Sequence, residues 1–314
     1  MSNISQAEIE RPSVYSVAGI VLNILSAIKN NSIDAVNEID VTTNEVEFNS
    51  DKFLEDTAVE QTLCAIWDLS SLEEYANILV NECQIHRIML KLITSTARNR
   101  TKELSLGVLA NLACFPDKAM ILIGDMDLLN IIQVLIKDDE NEDDVRVLFE
   151  ASSFVRNILT NSPHYNSDHE STLSEFLFND NLVSRFNYFL KNTLNDDLFF
   201  ASLEILNCIL FIGIPEQHFE FMSLEIIECF NNICERISTF KDISRKLFIT
   251  IINLMNILLE TGLIPPDVFE RNHGTLYQLQ HRTKDEYSDE DGDDDEILNL
   301  IETFKNKIEL SKKR

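Results

Sequence analysis

Four asparagines and an aspartate recur in this chain at a regular spacing, in a setting that suits hydrogen bonding rather than catalysis. Asp68, Asn111, Asn157, Asn207 and Asn256 are separated by 43, 46, 50 and 49 residues, each inside an apolar helical stretch. An amide carries two N–H donors and a carbonyl acceptor, so in an apolar helix it must find partners. It either clamps neighbouring helices together or is held toward a ligand that offers both a donor and an acceptor, as the backbone of an extended segment does. Eleven residues before the five positions, close to a whole number of helical turns, stand Thr57, Arg100, Arg146, Asp196 and Arg245. Three arginines in five is a high proportion in a chain with 26 basic residues. One reading is a partly positive groove that accepts an extended acidic segment through charge-assisted bonds. The other is that each arginine pairs with the acidic loop before it, Arg146 with Asp143 for instance.

Trp67 and Asp68 form the other singular feature. A lone tryptophan in an apolar helix usually packs in the core. Asp68 puts a charge where the rest of the column has an amide; it either accepts a bond from the start of the next helix near Ser71 to Glu73, or receives a basic group of a partner. Four residues before the column stand Cys64, Gly107, Ser153, Leu203 and Ile252, so no tryptophan array exists to take lysine side chains in a series of indole slots. Catalytic patterns are missing. His86, His164, His169, His218, His273 and His281 make no HExxH or other familiar metal spacing, and there is neither a glycine-rich phosphate loop nor a GxSxG elbow. The reading is a non-enzymatic chain with no cofactor and no metal.

The elements that must position these residues are five similar helices: residues 57–70 (TAVEQTLCAIWDLS), 101–115 (TKELSLGVLANLACF), 145–161, 197–211 and 245–260. The second is apolar on nearly every side, which predicts a helix packed between neighbours. Amphipathic pieces lie between them, at 72–80, 85–93, 119–123, 128–136, 182–190 and 224–237. A period near 45 residues with a short, a longer and a long helix predicts an all-α, armadillo-like right-handed helical solenoid of about four to five repeats. Pro116, Pro163, Pro215, Pro265 and Pro266 fall shortly after the repeated helices, where the chain must turn. Residues 1–12 read as a flexible N-terminus, 13–29 as an N-terminal cap helix, 30–56 as an acidic linker and 57–270 as the repeat domain. Residues 161–172 read as a long exposed loop. Residues 271–314 read as an acidic, largely disordered tail with a short terminal helix; 285–296 hold nine acidic residues in twelve, and Ser288 has the pattern of an acid-directed phosphorylation site. That tail reads as solvated, or as a contact with basic partners or with the groove arginines.

Bulk composition agrees. Seven glycines and six prolines in 314 residues are few for a strand-rich chain, and 45% apolar residues suffice for a core. A net charge of -27 opposes nucleic acid and anionic membranes, leaving a protein partner, either an extended peptide or a neighbouring subunit. Six cysteines without CxxC pairing read as reduced thiols of an intracellular protein.

VYS at 14–16, CAIWDLS at 64–70 and GVLANLACF at 107–115 resemble the serum amyloid A-like 1 protein family, in the same order and at similar separations. The resemblance is good from about Ser13 to Ile136 and thin afterwards, and Ala110 stands where that pattern has glycine. It implies an armadillo-like, non-enzymatic protein of the nucleus, linked to promotion of cell proliferation. In armadillo proteins that bind extended peptides, an asparagine at this place in the third helix bonds the peptide backbone; that likeness makes Asp68, Asn111, Asn157, Asn207 and Asn256 candidate binding residues, and the spacing adds Arg100, Arg146 and Arg245.

Overall fold

The computed structural model describes residues 14–30, 56–137, 144–161, 163, 167–178, 182–213, 219–239, 245–263 and 268. The readings made on residues 1–12, on most of the 30–56 linker, on the 271–314 tail and on Ser288 lie outside them. Every regular element among the described residues is helical, and the chain divides into two compact units, residues 1–131 and 132–314.

In the first unit α1 (Val14–Lys29) packs on α2 (Ala58–Ser70) and α4 (Ile85–Ser95), and α5 (Asn99–Leu112) packs on α2 and α4. Between α2 and α4 lie a short helix, α3 (Glu73–Asn77), and a π-helical turn, Ile78–Glu82; Gln84 then takes a left-handed conformation (φ 50°) that redirects the chain into α4. From Glu103 to Ala110 every residue of α5 is buried, the enclosure expected of a helix apolar on all sides. Phe115 is extended, as a residue before proline must be, and Pro116 opens α6 (Pro116–Ile123) at a position where its missing N–H costs nothing. α7 (Met126–Lys137) follows.

The second unit is built around α11 (Asp196–Ile212), which packs between α8 (Val145–Thr160) and α13 (Arg245–Thr261); α10 (Leu182–Asn192) lies against α11 and α12 (Phe219–Thr239). Its core centres on Phe154, Phe186, Phe199 and Phe230, all under 2% exposed. Asp144 and Asn195 cap α8 and α11 with their side chains. The loop expected at 161–172 is instead partly helix, α9 (Ser167–Phe178). Acidic Asp168 and Glu170 favour its first turn, and Leu173, Phe176 and Leu177 supply a buried face at helical spacing; the polar half that suggested a loop is its solvent side.

One buried charge fixes the first unit. Thr57 caps α2 by accepting from the Glu60 amide at 3.1 Å, while the Glu60 carboxylate accepts from the Thr57 amide at 2.7 Å, a reciprocal capping box. That carboxylate, fully buried, also takes both Nε and a terminal nitrogen of Arg98 at 2.8 Å and the Thr101 hydroxyl at 3.0 Å. Burial alone would raise its pKa, but these donors and the Arg98 charge outweigh burial and hold it below the usual carboxylate value. A carboxyl depressed on folding contributes stability above its unfolded pKa of about 4.3, and that contribution is lost as pH falls through the folded value. Glu60→Gln is therefore expected to lower stability at pH 7 by about 3 kcal/mol and to flatten the loss of stability below about pH 4.3, both read from urea melts across pH.

Candidate functional site

Within each unit the column helices are direct neighbours, and short polar contacts between them set their register. In the first unit Asn111 on α5 uses both hydrogens of its amide across the gap to α2, donating to the Trp67 carbonyl and to the Ser70 hydroxyl, each at 3.1 Å. Asp68 projects from the same stretch of α2 and is exposed. The Ser71 hydroxyl donates to the Asp68 backbone carbonyl at 2.7 Å, and α3 begins after Leu72 with no side-chain cap, so the helix-start bond expected of the Asp68 carboxylate is not made. In the second unit Asn207 on α11 donates to the Thr250 carbonyl of α13 at 3.1 Å. Asn157 on α8 accepts from Arg156 Nε at 3.2 Å. Asn111, Asn157 and Asn207 are half-buried, whereas Asn256 is buried. The side-chain carbonyl oxygens of Asn207 and Asn256, on adjacent helices, are buried from solvent and have no hydrogen-bond partner among the described residues.

The three arginines lie at the starts of their helices, and Arg100 and Arg146 face carboxylates of their own chain. Arg100 reaches Glu103 at 2.9 Å and Asp56 at 3.6 Å, with a terminal nitrogen 3.8 Å from Cys64 Sγ. Arg146 pairs with Asp144, two residues earlier, at 3.0 Å. Arg245 opens α13; its side chain lies outside the description. Of the aligned positions without arginine, Thr57 is buried in the capping box and Asp196 is exposed, 3.9 Å from Arg236. The Glu60–Arg98 lock and an Arg156–Glu204 pair at 3.2 Å between α8 and α11 were not anticipated. The second was legible: Arg156 and Glu204 are opposite charges 48 residues apart, close to the repeat spacing, and next to the asparagine column. Beside it the Thr160 hydroxyl lies 3.9 Å from Cys208 Sγ, again 48 residues on.

Trp67 is half-buried rather than enclosed. Its indole lies across Gly107 of α5 so closely that a Cβ there would fall 2.8 Å from Cε2 and Cζ2. Glycine is required at 107 by this approach and not by backbone conformation, since the residue is helical. All six cysteines are free; burial raises the thiols of Cys64, Cys83 and Cys208, pushes Cys234 up to about 12 and Cys229 well above the usual range, the reverse of what an activated nucleophile needs. Among the described residues no cluster of three or more His, Cys, Asp or Glu is placed to hold a metal, and no single helix is long and apolar enough to cross a membrane.

This arrangement, column helices side by side in an all-α chain, is an armadillo-like solenoid. A designed armadillo repeat protein solved in complex with the peptide (KR)4 superposes with a TM-score of 0.55 at 14% identity, covering 80% of this chain and 92% of the design. A computationally designed armadillo repeat protein for modular peptide recognition gives 0.55 at 12% identity, covering 80% and 92%. In sequence the chain is similar to Protein saal1 of Danio rerio, 30% identical over 82 residues, and to Protein saal1 of Xenopus tropicalis, 28% identical over 83. Each match covers 26% of this chain, and the matched stretch spans only 17% and 18% of those relatives. The resemblance read from CAIWDLS and GVLANLACF has this support. No protein-family model matches the chain.

The Gly107 contact has a sign that can be measured. Gly107→Ala gains about 1 kcal/mol of helix propensity but overpacks the indole, a cost of about 1–3 kcal/mol. It is expected to destabilise the native protein and to stabilise a Trp67→Leu background. Thermal melts of the four-protein cycle check the reversal.

Proposed function

We propose that this chain is a non-enzymatic protein-interaction scaffold that binds an extended partner segment across its column helices, with Asp68, Asn111, Asn157, Asn207 and Asn256 as the hydrogen-bonding groups and Arg100, Arg146 and Arg245 at the margin. The observation that carries it is the column of short polar side chains on neighbouring helices within each unit, where Asp68 is exposed and Asn111, Asn157 and Asn207 are half-buried. An amide held at such a surface offers both a donor and an acceptor, which the unpaired backbone groups of an extended ligand need. Two of the designed solenoids that share the fold were made for, or solved with, peptides, which favours the same use here. Nuclear residence and promotion of cell proliferation enter this proposal through the resemblance to the serum amyloid A-like 1 family.

A second reading has an observation of its own. The bonds from Asn111 to α2 and from Asn207 to α13 tie neighbouring helices together, as they would in a subunit held by other surfaces with a purely stabilising column. Asn256→Ala separates the two. Its carbonyl bonds nothing among the described residues, so the scaffold reading expects a stability change under about 1 kcal/mol together with loss of crosslinked partner from pull-downs. A large drop in melting temperature with partner recovery intact would favour the stabilising column.

A further inference from the structure

Two neighbouring helices of the first unit, α1 and α4, differ from the rest of it in charge. Asp and Glu make up 53 of the 314 residues, yet among the described helices of that unit these two alone contain neither. α1 turns Val17, Val21 and Ile24 into the core and leaves Leu22 62% and Leu25 41% exposed, with Lys29 as its one charge. The outer face of a helix that closes a solenoid is ordinarily polar, since no further repeat stacks on it. Leucines there are out of place unless something covers them. On α4, which α1 touches, Arg87 and Lys91 stand one turn apart on the solvent side. Arg98, Arg100, Arg146 and Arg156 are committed to carboxylates. Among the described residues no ion pair reaches the side chains of Lys29, Arg87 or Lys91.

We infer that the exposed side of α1 and α4 docks an acidic amphipathic helix of a partner protein, with Leu22 and Leu25 taking its apolar stripe and Lys29, Arg87 and Lys91 its carboxylates. Charge complementarity sets the sign of the partner. A chain of net charge -27 repels acids except where bases stand unpaired on acid-free helices, so an acidic segment is steered to this face. Backbone chemistry sets its form. A surface made of helices has no open edge for an extended strand to join, so the occupant must satisfy its own amides and carbonyls, as a helix does. Acids one turn apart on that helix match the spacing of Arg87 and Lys91, and apolar residues three apart match Leu22 and Leu25. Neither α1 nor α4 carries a column residue, so this surface is separate from the one proposed above.

A synthetic peptide of about twenty residues, with leucines every three to four positions and glutamates on the other face, is titrated into the intact chain by calorimetry at physiological salt. One control peptide has the same composition in an order that removes the apolar stripe, and another has lysine in place of glutamate. Saturable binding is expected for the acidic amphipathic peptide alone. Arg87→Glu combined with Lys91→Glu is expected to weaken it about tenfold or more and Leu22→Ser about three- to tenfold, while Lys191→Glu on α10 leaves it unchanged. A carbodiimide, which joins an amine to a carboxylate, is expected to link the peptide to Lys29 and Lys91. The substituted side chains are exposed, and matching thermal melts keep folding out of the comparison. The inference is overturned if the acidic peptide does not bind, if the reordered peptide binds as well, or if the charge-reversed chain keeps native affinity. Crosslinks from Lys29 or Lys91 to residues 285–296 in the chain alone, or a dimer of the native chain that Leu22→Ser dissolves, also overturn it, by giving the face to the chain's own tail or to a second copy. Asn256→Ala is expected to leave this titration untouched, so a failure of the column reading shows separately.

Discussion

Glu60 is a carboxylate with no exposure, and the first unit is arranged to satisfy it. A buried charge without partners costs several kcal/mol, so the residues around it are tightly constrained. The Thr57 amide approaches from its own helix end, and the Arg98 fork and the Thr101 hydroxyl from the start of α5. Once those bonds form, α2 and α5 cannot slide past each other without breaking a charge-assisted pair. The same register brings Trp67 onto Gly107, the residue of α5 that leaves room for it, and places Asn111 against the Trp67 carbonyl and the Ser70 hydroxyl. The candidate site is a consequence of where the start of the helix pair is locked.

How much of this was legible follows from how far each interaction reaches along the chain. The period of the column and the five long helices were visible because helical burial repeats every three to four residues and the repeat itself near 45. The Glu60–Arg98 bond joins residues 38 apart that no local pattern links, and its carboxylate looks from the sequence like an ordinary first-turn acid. α9 was hidden by composition: its serines, histidine and acids belong to a solvent face, and only Leu173, Phe176 and Leu177 betray the buried side. Arg156 and Glu204 are legible in the sequence as opposite charges that recur close to the repeat distance beside the asparagine column.

The arginine positions show why spacing alone misleads about electrostatics. Three like charges at equivalent places in a repeat suggest a common field, but the field depends on what stands within about 4 Å of each. Arg100 meets two carboxylates and Arg146 the residue that caps its helix. In a chain of net charge -27, carboxylates outnumber cations about two to one, so an arginine is far more often the scarce partner than the uncommitted one. On α2 the group left over is an acid, the exposed Asp68.

The asparagines need not be assigned to structure or to binding as alternatives, because an amide has two ends. At Asn111 and Asn207 the nitrogen end bonds the neighbouring column helix and fixes the rotamer. At Asn207 the other end, the carbonyl, is buried with no partner among the described residues. The bond that ties one helix to the next therefore also fixes the orientation of the other end of the amide.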